Sequence, residues 1–152
     1  MLISAHSIVG GVIGQEISNP ALAFFAGIIS HLLLDSIPHN DGPDDSGKDD
    51  QKTTSTSQYV VIFADLLLAA IIIGYFYYRN LLLTGFLWGV FGGVFPDLVD
   101  NMPFWENQIR KVPVFKQFHA LHYRLQKIKA PIWIGLPMQY VIVAISIWLF
   151  LR

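Results

Sequence analysis

Residues 59–78 read YVVIFADLLLAAIIIGYFYY, a window of 20 positions whose only carboxylate is Asp65 and which holds no lysine or arginine. At about 1.5 Å rise per residue, a helix of that length reaches about 30 Å, the thickness of a hydrocarbon core. Residues 132–151, IWIGLPMQYVIVAISIWLFL, form a second such window with no charge at all. Tyr59, Tyr75, Tyr77, Tyr78, Trp133 and Trp148 lie near the window ends, where amphipathic rings meet a membrane–water boundary. The competing reading is a pair of core helices in a water-soluble protein, which would need polar surface to wrap them. A chain of 152 residues, 14% charged and 53% hydrophobic, does not supply it.

Three further apolar segments are shorter: 2–17, 20–34 and 81–95. As helices they reach only about 22–25 Å, enough to span partly or with little tilt. Asn19-Pro20 is a break with proline at a first helical position, and Arg79-Asn80 separates two apolar runs. No basic stretch precedes the first apolar run, so a signal peptide is a poor reading of it. The expected fold is an all-α membrane protein, a single integral domain over 1–152. It is a compact bundle of about five transmembrane or partly spanning helices plus an interfacial amphipathic helix.

Two polar stretches remain. Residues 39–58 read as an acidic, Ser/Thr-rich loop with Asp41, Asp44, Asp45, Asp49 and Asp50. Residues 101–130 form a basic amphipathic segment with Arg110, Lys111, Lys116, Arg124, Lys127 and Lys129. There Phe115, Phe118, His122, Leu125 and Lys129 recur at helical spacing. Alternate threading of the five apolar segments puts eight of the 10 Lys and Arg residues on one side. The positive-inside rule makes that side cytoplasmic, in the cytoplasmic membrane of a bacterium or archaeon.

The chain has five histidines and no cysteine. The missing thiols exclude disulfides, thiolate zinc sites, iron–sulfur clusters and cysteine nucleophiles. Under the threading, His6, His31, His39, His119 and His122 all fall toward the cytoplasmic side, with Asp35, Asp65, Asp97 and Asp100. Helical stripes lead to them: His6-Gly10-Gly14, Gly27-His31-Asp35 with His39 one step on, and Gly89-Gly93-Asp97 with Asp100. Glycines four residues apart let helices approach closely, which would bring the polar ends of the stripes together. An imidazole or carboxylate in an apolar phase needs a partner or a metal. The candidate metal ligands are therefore His6, His31, Asp35, His39, Asp97, Asp100, His119 and His122. They suit one or two divalent ions, zinc first, with manganese or iron as alternatives. Asp100 reads as a ligand, a bridge, a proton acceptor or a helix cap, and Asp65 as a proton-handling or interhelical group. Those two are the catalytic candidates, and Asp41 is close enough in sequence to join the site. A hydrogen-bonded seam that only fastens helices is the competing structural reading.

The stretches GIISHLLLDSIPHND (27–41), GGVFPDLVD (92–100) and FHALHY (118–123), with the leading His6, resemble the small membrane-bound metal-dependent hydrolases. Some of these are known as the DNA-damage-regulated inner-membrane family, with broad motif similarity to zinc-dependent phospholipase C. The resemblance implies metal binding by His6, by Asp97 with Asp100, and by His119 with His122. It also aligns His31, Asp35 and His39 with a helix motif of related members. Here the second element is Pro-Asp-Leu-Val-Asp in place of the commoner Pro-Asp-Ile-Asp-His, which weakens the ligand role of Asp100.

The function expected is hydrolysis of a phosphoester in a lipid or lipid-linked substrate by metal-activated water. Asp100 or Asp65 would accept the proton, and Lys111, Lys116, Arg124, Lys127 and Lys129 would hold an anionic headgroup. The alternatives are a divalent-metal or proton transporter and a noncatalytic membrane scaffold. A transporter needs polar residues running on to the other face, and beyond Glu16 and Asn19 few occur. No His-Glu-x-x-His motif suggests a metalloprotease, and a net charge of −1 without a base-reading module argues against nucleic acid. Membrane lipids are the expected partners.

Overall fold

Glycine spacing governs how the helices meet. The computed structural model describes residues 1–40, 56–79, 81, 83–101, 104–126 and 129–152. Among them are α1 (Ile3–Gln15), α2 (Pro20–Asp35), α3 (Thr56–Tyr78), α4 (Thr84–Asp100), α5 (Glu106–Ile109), α6 (Pro113–Leu125) and α7 (Ile132–Leu151). No strand occurs among the described residues; His39 and Lys129 form an isolated parallel bridge. Helices α1, α2 and α4 pack backbone to backbone. A Cβ on Gly89 would strike the Gly10 carbonyl, one on Gly93 the His6 carbonyl, and one on Gly92 the Phe24 carbonyl. Gly14 and Gly85 face each other in the same way. The stripes read from sequence are thus the contact lines of the bundle.

α1 is the central element, touching α2, α3, α4 and α7. Its N-terminus lies in the interior, where the first backbone N–H groups have no helical acceptor and no water to replace one. Asp65 of α3 takes Ser4 N at 2.9 Å and also accepts from the Ser4 hydroxyl. Gln139 of α7 takes Leu2 N at 2.6 Å and donates to the carbonyls of Asn40 and Gly135. The isolated polar residues of the two long apolar helices therefore cap a third helix. α2 starts as the sequence suggests: Asn19 accepts from Ala21 N at 3.0 Å and Leu22 N at 3.2 Å, with Pro20 at the first position.

These contacts fix directions. Asp65, Gln139, the start of α1 and the ends of α2 and α4 share one end of the bundle. Phe76, Phe86 and Phe150 close the other, with the rings of Phe76 and Phe150 stacked at 4.3 Å. The five apolar helices alternate in direction. α3 and α7 are long and apolar enough to cross a membrane, with only 17% and 22% of their windows buried.

Two boundaries differ from expectation. α3 begins at Thr56, so the acidic loop ends before 58; residues 41–55, with Asp41 and the other loop aspartates, lie outside the described residues, as does Lys127. α6 stops at Leu125, so Lys129 does not continue its apolar stripe but is exposed beside His39. α2 ends at Asp35, in keeping with the 20–34 segment, and His39 reaches the interior from an irregular segment held by Ala130 N donating to its carbonyl at 3.1 Å. The short α5 has no sequence signal that distinguishes it from its basic surroundings.

Close approach at Gly89 and open space at Gly74 make a paired test. Gly89→Ala should lower thermal stability in detergent by at least about 1–3 kcal/mol, the cost of overpacking, because backbone atoms block its Cβ. Gly74→Ala, with nothing within 4 Å of the added carbon, should leave the melting temperature level or raised.

Candidate metal centre

The glycine contacts carry the polar ends of α1, α2 and α4 to one place, and α6 closes it. Asp35, on the last turn of α2, is the hub. Its Oδ2 lies 3.1 Å from His31 Nε2 and 2.8 Å from His122 Nε2. Its Oδ1 lies 3.1 Å from His6 Nε2, 3.8 Å from His39 Nε2 and 2.7 Å from the α-amino group of Met1. Asp97 joins from α4, its Oδ1 lying 3.8 Å from His31 Nε2 and 3.7 Å from His122 Nε2. Asp35, His6, His31 and His122 are buried, whereas the Asp97 side chain retains 18% exposure.

The hydrogen bonds determine which ring nitrogen faces inward. His31 Nδ1 lies 2.7 Å from the Gly93 carbonyl oxygen, which only accepts, so this nitrogen carries the hydrogen. His39 Nδ1 donates in the same way to the Ile37 carbonyl at 2.8 Å. His122 Nδ1 donates to Asp100 at 3.0 Å. Their Nε2 atoms are left for the centre.

His31 Nε2 and His122 Nε2 stand 3.1 Å apart. Two imidazoles bound to one ion at about 2.0–2.1 Å would have nitrogens about 2.9–3.4 Å apart. His6 stacks on His31 with ring centres 3.7 Å apart, and neither of its buried nitrogens makes a hydrogen bond. The Nε2–Asp35 approach has charge-pair distance without hydrogen-bond geometry. A fully buried imidazole costs free energy in that condition, and a metal ion would remove the cost. Among the described residues, two donor groups meet the spatial requirement for an ion, His6 with His31 and Asp35, and His31 with Asp97 and His122. They share His31 and so form one continuous centre. Buried histidine and aspartate side chains in this protein could therefore coordinate a metal ion.

Without metal, His122 is held in its charged form. Burial by itself would lower its pKa, but hydrogen bonds to Asp100 and Asp35 and the nearby Asp97 charge outweigh that and raise it to about 9. A metal ion at Nε2 would take the place of that proton.

Asp100 is placed one layer out. It accepts from His119 Nδ1 at 2.7 Å, from His122 Nδ1, and from Arg110 Nε at 3.3 Å. His119 is therefore brought to Asp100 and not among the nitrogens around Asp35; its side chain is 35% exposed. Asp65 is brought to Ser4, away from the histidines. Three further polar residues serve the site without belonging to any of the sequence motifs. Gln126 donates from Nε2 to Asp35 Oδ2 at 2.7 Å, and its signal is the four-residue step from His122. For Gln139 the clue is a lone amide in an apolar window, and for Arg110 no local pattern exists.

Metal content of the purified protein tests the assignment. His31→Ala and His6→Ala should lose bound metal while keeping helical content. Asp100→Asn, which removes the orienting carboxylate of His122, should weaken affinity by about 10–100-fold. Asp65→Asn should retain metal, because its partner is the α1 terminus.

No protein-family model, curated protein or solved structure matches this chain. The metal-centre assignment therefore rests on the chain's own motifs and on the geometry around Asp35.

Proposed function

We propose that this protein is an integral membrane hydrolase of phosphoesters in lipid or lipid-linked substrates, with a divalent metal centre held by His6, His31, Asp35, Asp97 and His122. His39 closes the inner side. The observation that carries the reading is the facing pair His31 Nε2 and His122 Nε2, 3.1 Å apart over Asp35 Oδ2, each with its other nitrogen engaged. A bound ion would supply Lewis acidity and activate water at neutral pH.

The protein's own residues provide the remaining functions. His119 donates through Nδ1 to Asp100, which orients the ring and compensates a positive charge on it. Being half-buried, it can exchange protons with a substrate on the open side. Asp100 thus acts through His119 and His122 and not as the direct acceptor, and Asp65 is committed to Ser4. The exposed Lys111, Lys116 and Arg124 supply positive charge on and beside α6 for an anionic headgroup.

The membrane assignment is supported by large apolar side chains turned outward on every long helix, including Leu22, Ile29 and Leu33 on α2, Phe63 and Leu67 on α3, and Val141 and Leu149 on α7. We read all five apolar helices as lying in the bilayer, with the donor cluster at the cytoplasmic headgroup level. The transporter alternative would need a path toward Phe76 and Phe150. There the Gly14–Gly85 and Gly10–Gly89 contacts bring backbones together without a gap.

Phospholipid or isoprenoid-phosphate vesicles incubated with metal-loaded protein provide the test. Release of phosphate or phosphorylated headgroup should be abolished by a chelator and restored by zinc or manganese. His119→Gln should reduce turnover by about 100-fold or more while retaining metal. Full turnover in the presence of chelator would overturn the reading.

A further inference from the structure

Beside the donor cluster lies an apolar cleft of about 260 Å³ between α2, α4 and α6. Phe25 and Ile28 form one wall, Phe95 and Val99 the floor, and Val114 and Phe118 the other wall. No donor side chain lines it, but its lining residues adjoin the candidate centre on α4 and α6. Pro96 and Val99 immediately precede Asp97 and Asp100, and the Phe118 ring lies 5.7 Å from that of His122. Its outer end opens on the apolar surface, where Phe25 is 58% and Val114 70% exposed.

We propose that this cleft holds one hydrocarbon tail of the lipid whose phosphoester faces the donor cluster. The only thing taken from the hydrolase reading is that headgroup position. All lining side chains are apolar, so a polar ligand would lose its hydration without compensation. The volume lies near the lower end of small-molecule sites, about 300 Å³, which fits a length of one chain but not two. With the outer end among outward-facing apolar side chains, a tail enters sideways from the hydrocarbon and never crosses water. The fit defines the substrate class as a lipid with a flexible chain attached close to its phosphate, in contrast to a soluble phosphoester.

The test uses full-length, metal-free protein in nanodiscs containing phosphatidic acid with a photoactivatable diazirine in one acyl chain. After irradiation, labelled positions are mapped by mass spectrometry. Labelling should concentrate on Val99 and Phe118, exceeding by about tenfold that on outward-facing Phe63 and Val141. Ile28→Trp fills the cleft and should cut labelling of both positions by about tenfold, and Val99→Trp that of Phe118, with helical content serving as the check on folding. Labelling of Val99 and Phe118 no higher than of Phe63 and Val141 would overturn the proposal, as would insensitivity to both tryptophans. So would cross-links showing a second copy of the chain in the cleft. Headgroup release is measured separately on unlabelled vesicles. Cleft labelling without chelator-sensitive hydrolysis would uphold the tail site and refute the hydrolase, and hydrolysis without cleft labelling would do the reverse.

Discussion

A single buried carboxylate organises this protein. Asp35 has the Nε2 atoms of four histidines within 3.8 Å, drawn from α1, α2, the segment after α2, and α6. Such a group in an apolar interior is tolerable only when it is densely partnered. Its partners can reach it only because α1, α2 and α4 touch through glycine. Any side chain larger than hydrogen at Gly10, Gly27, Gly89 or Gly93 would push the helices apart and draw the imidazoles out of range. Packing and chemistry are here the same constraint.

Around that hub the polar residues divide by task. Asp65 and Gln139 satisfy the exposed N–H groups of α1 and thereby fix where His6 stands. The Gly93 carbonyl, the Ile37 carbonyl and Asp100 each hold an Nδ1 hydrogen and turn an Nε2 inward. The inward nitrogens of His31 and His122 meet each other and Asp35, while His6 is buried beside them without a hydrogen bond. Together these donors could hold a metal ion. The same outer layer gives the open edge its character, since Asp100 connects the inner His122 to the half-exposed His119.

Much of this arrangement is legible in the amino-acid sequence. Regular four-residue spacing of glycines and ligand-type residues indicates which helix faces meet, because helical periodicity and close packing are local rules. The all-helical fold and the two long apolar helices follow from length and composition. What the sequence leaves open is non-local. Nothing near Asp65 reveals that it caps α1, since that depends on how α3 lies against Ser4. Spacing would continue the α2 stripe to His39 only if Pro38 allowed it; α2 ends at Asp35, and the bridge from His39 to Lys129, far along the chain, has no local signal. The split between His122 inside and His119 outside likewise depends on how α6 is rotated over the end of α4. Both histidines carry the same local signature.

Crystals of metal-loaded protein measured by anomalous diffraction at the zinc and manganese absorption edges address the central claim directly. The account predicts a peak bounded by His31 Nε2, His122 Nε2 and Asp35 Oδ2, with His6 turned toward the same centre. An occupied metal confined to surface carboxylates, with His31, His122 and Asp35 remaining hydrogen-bonded to one another, would contradict it.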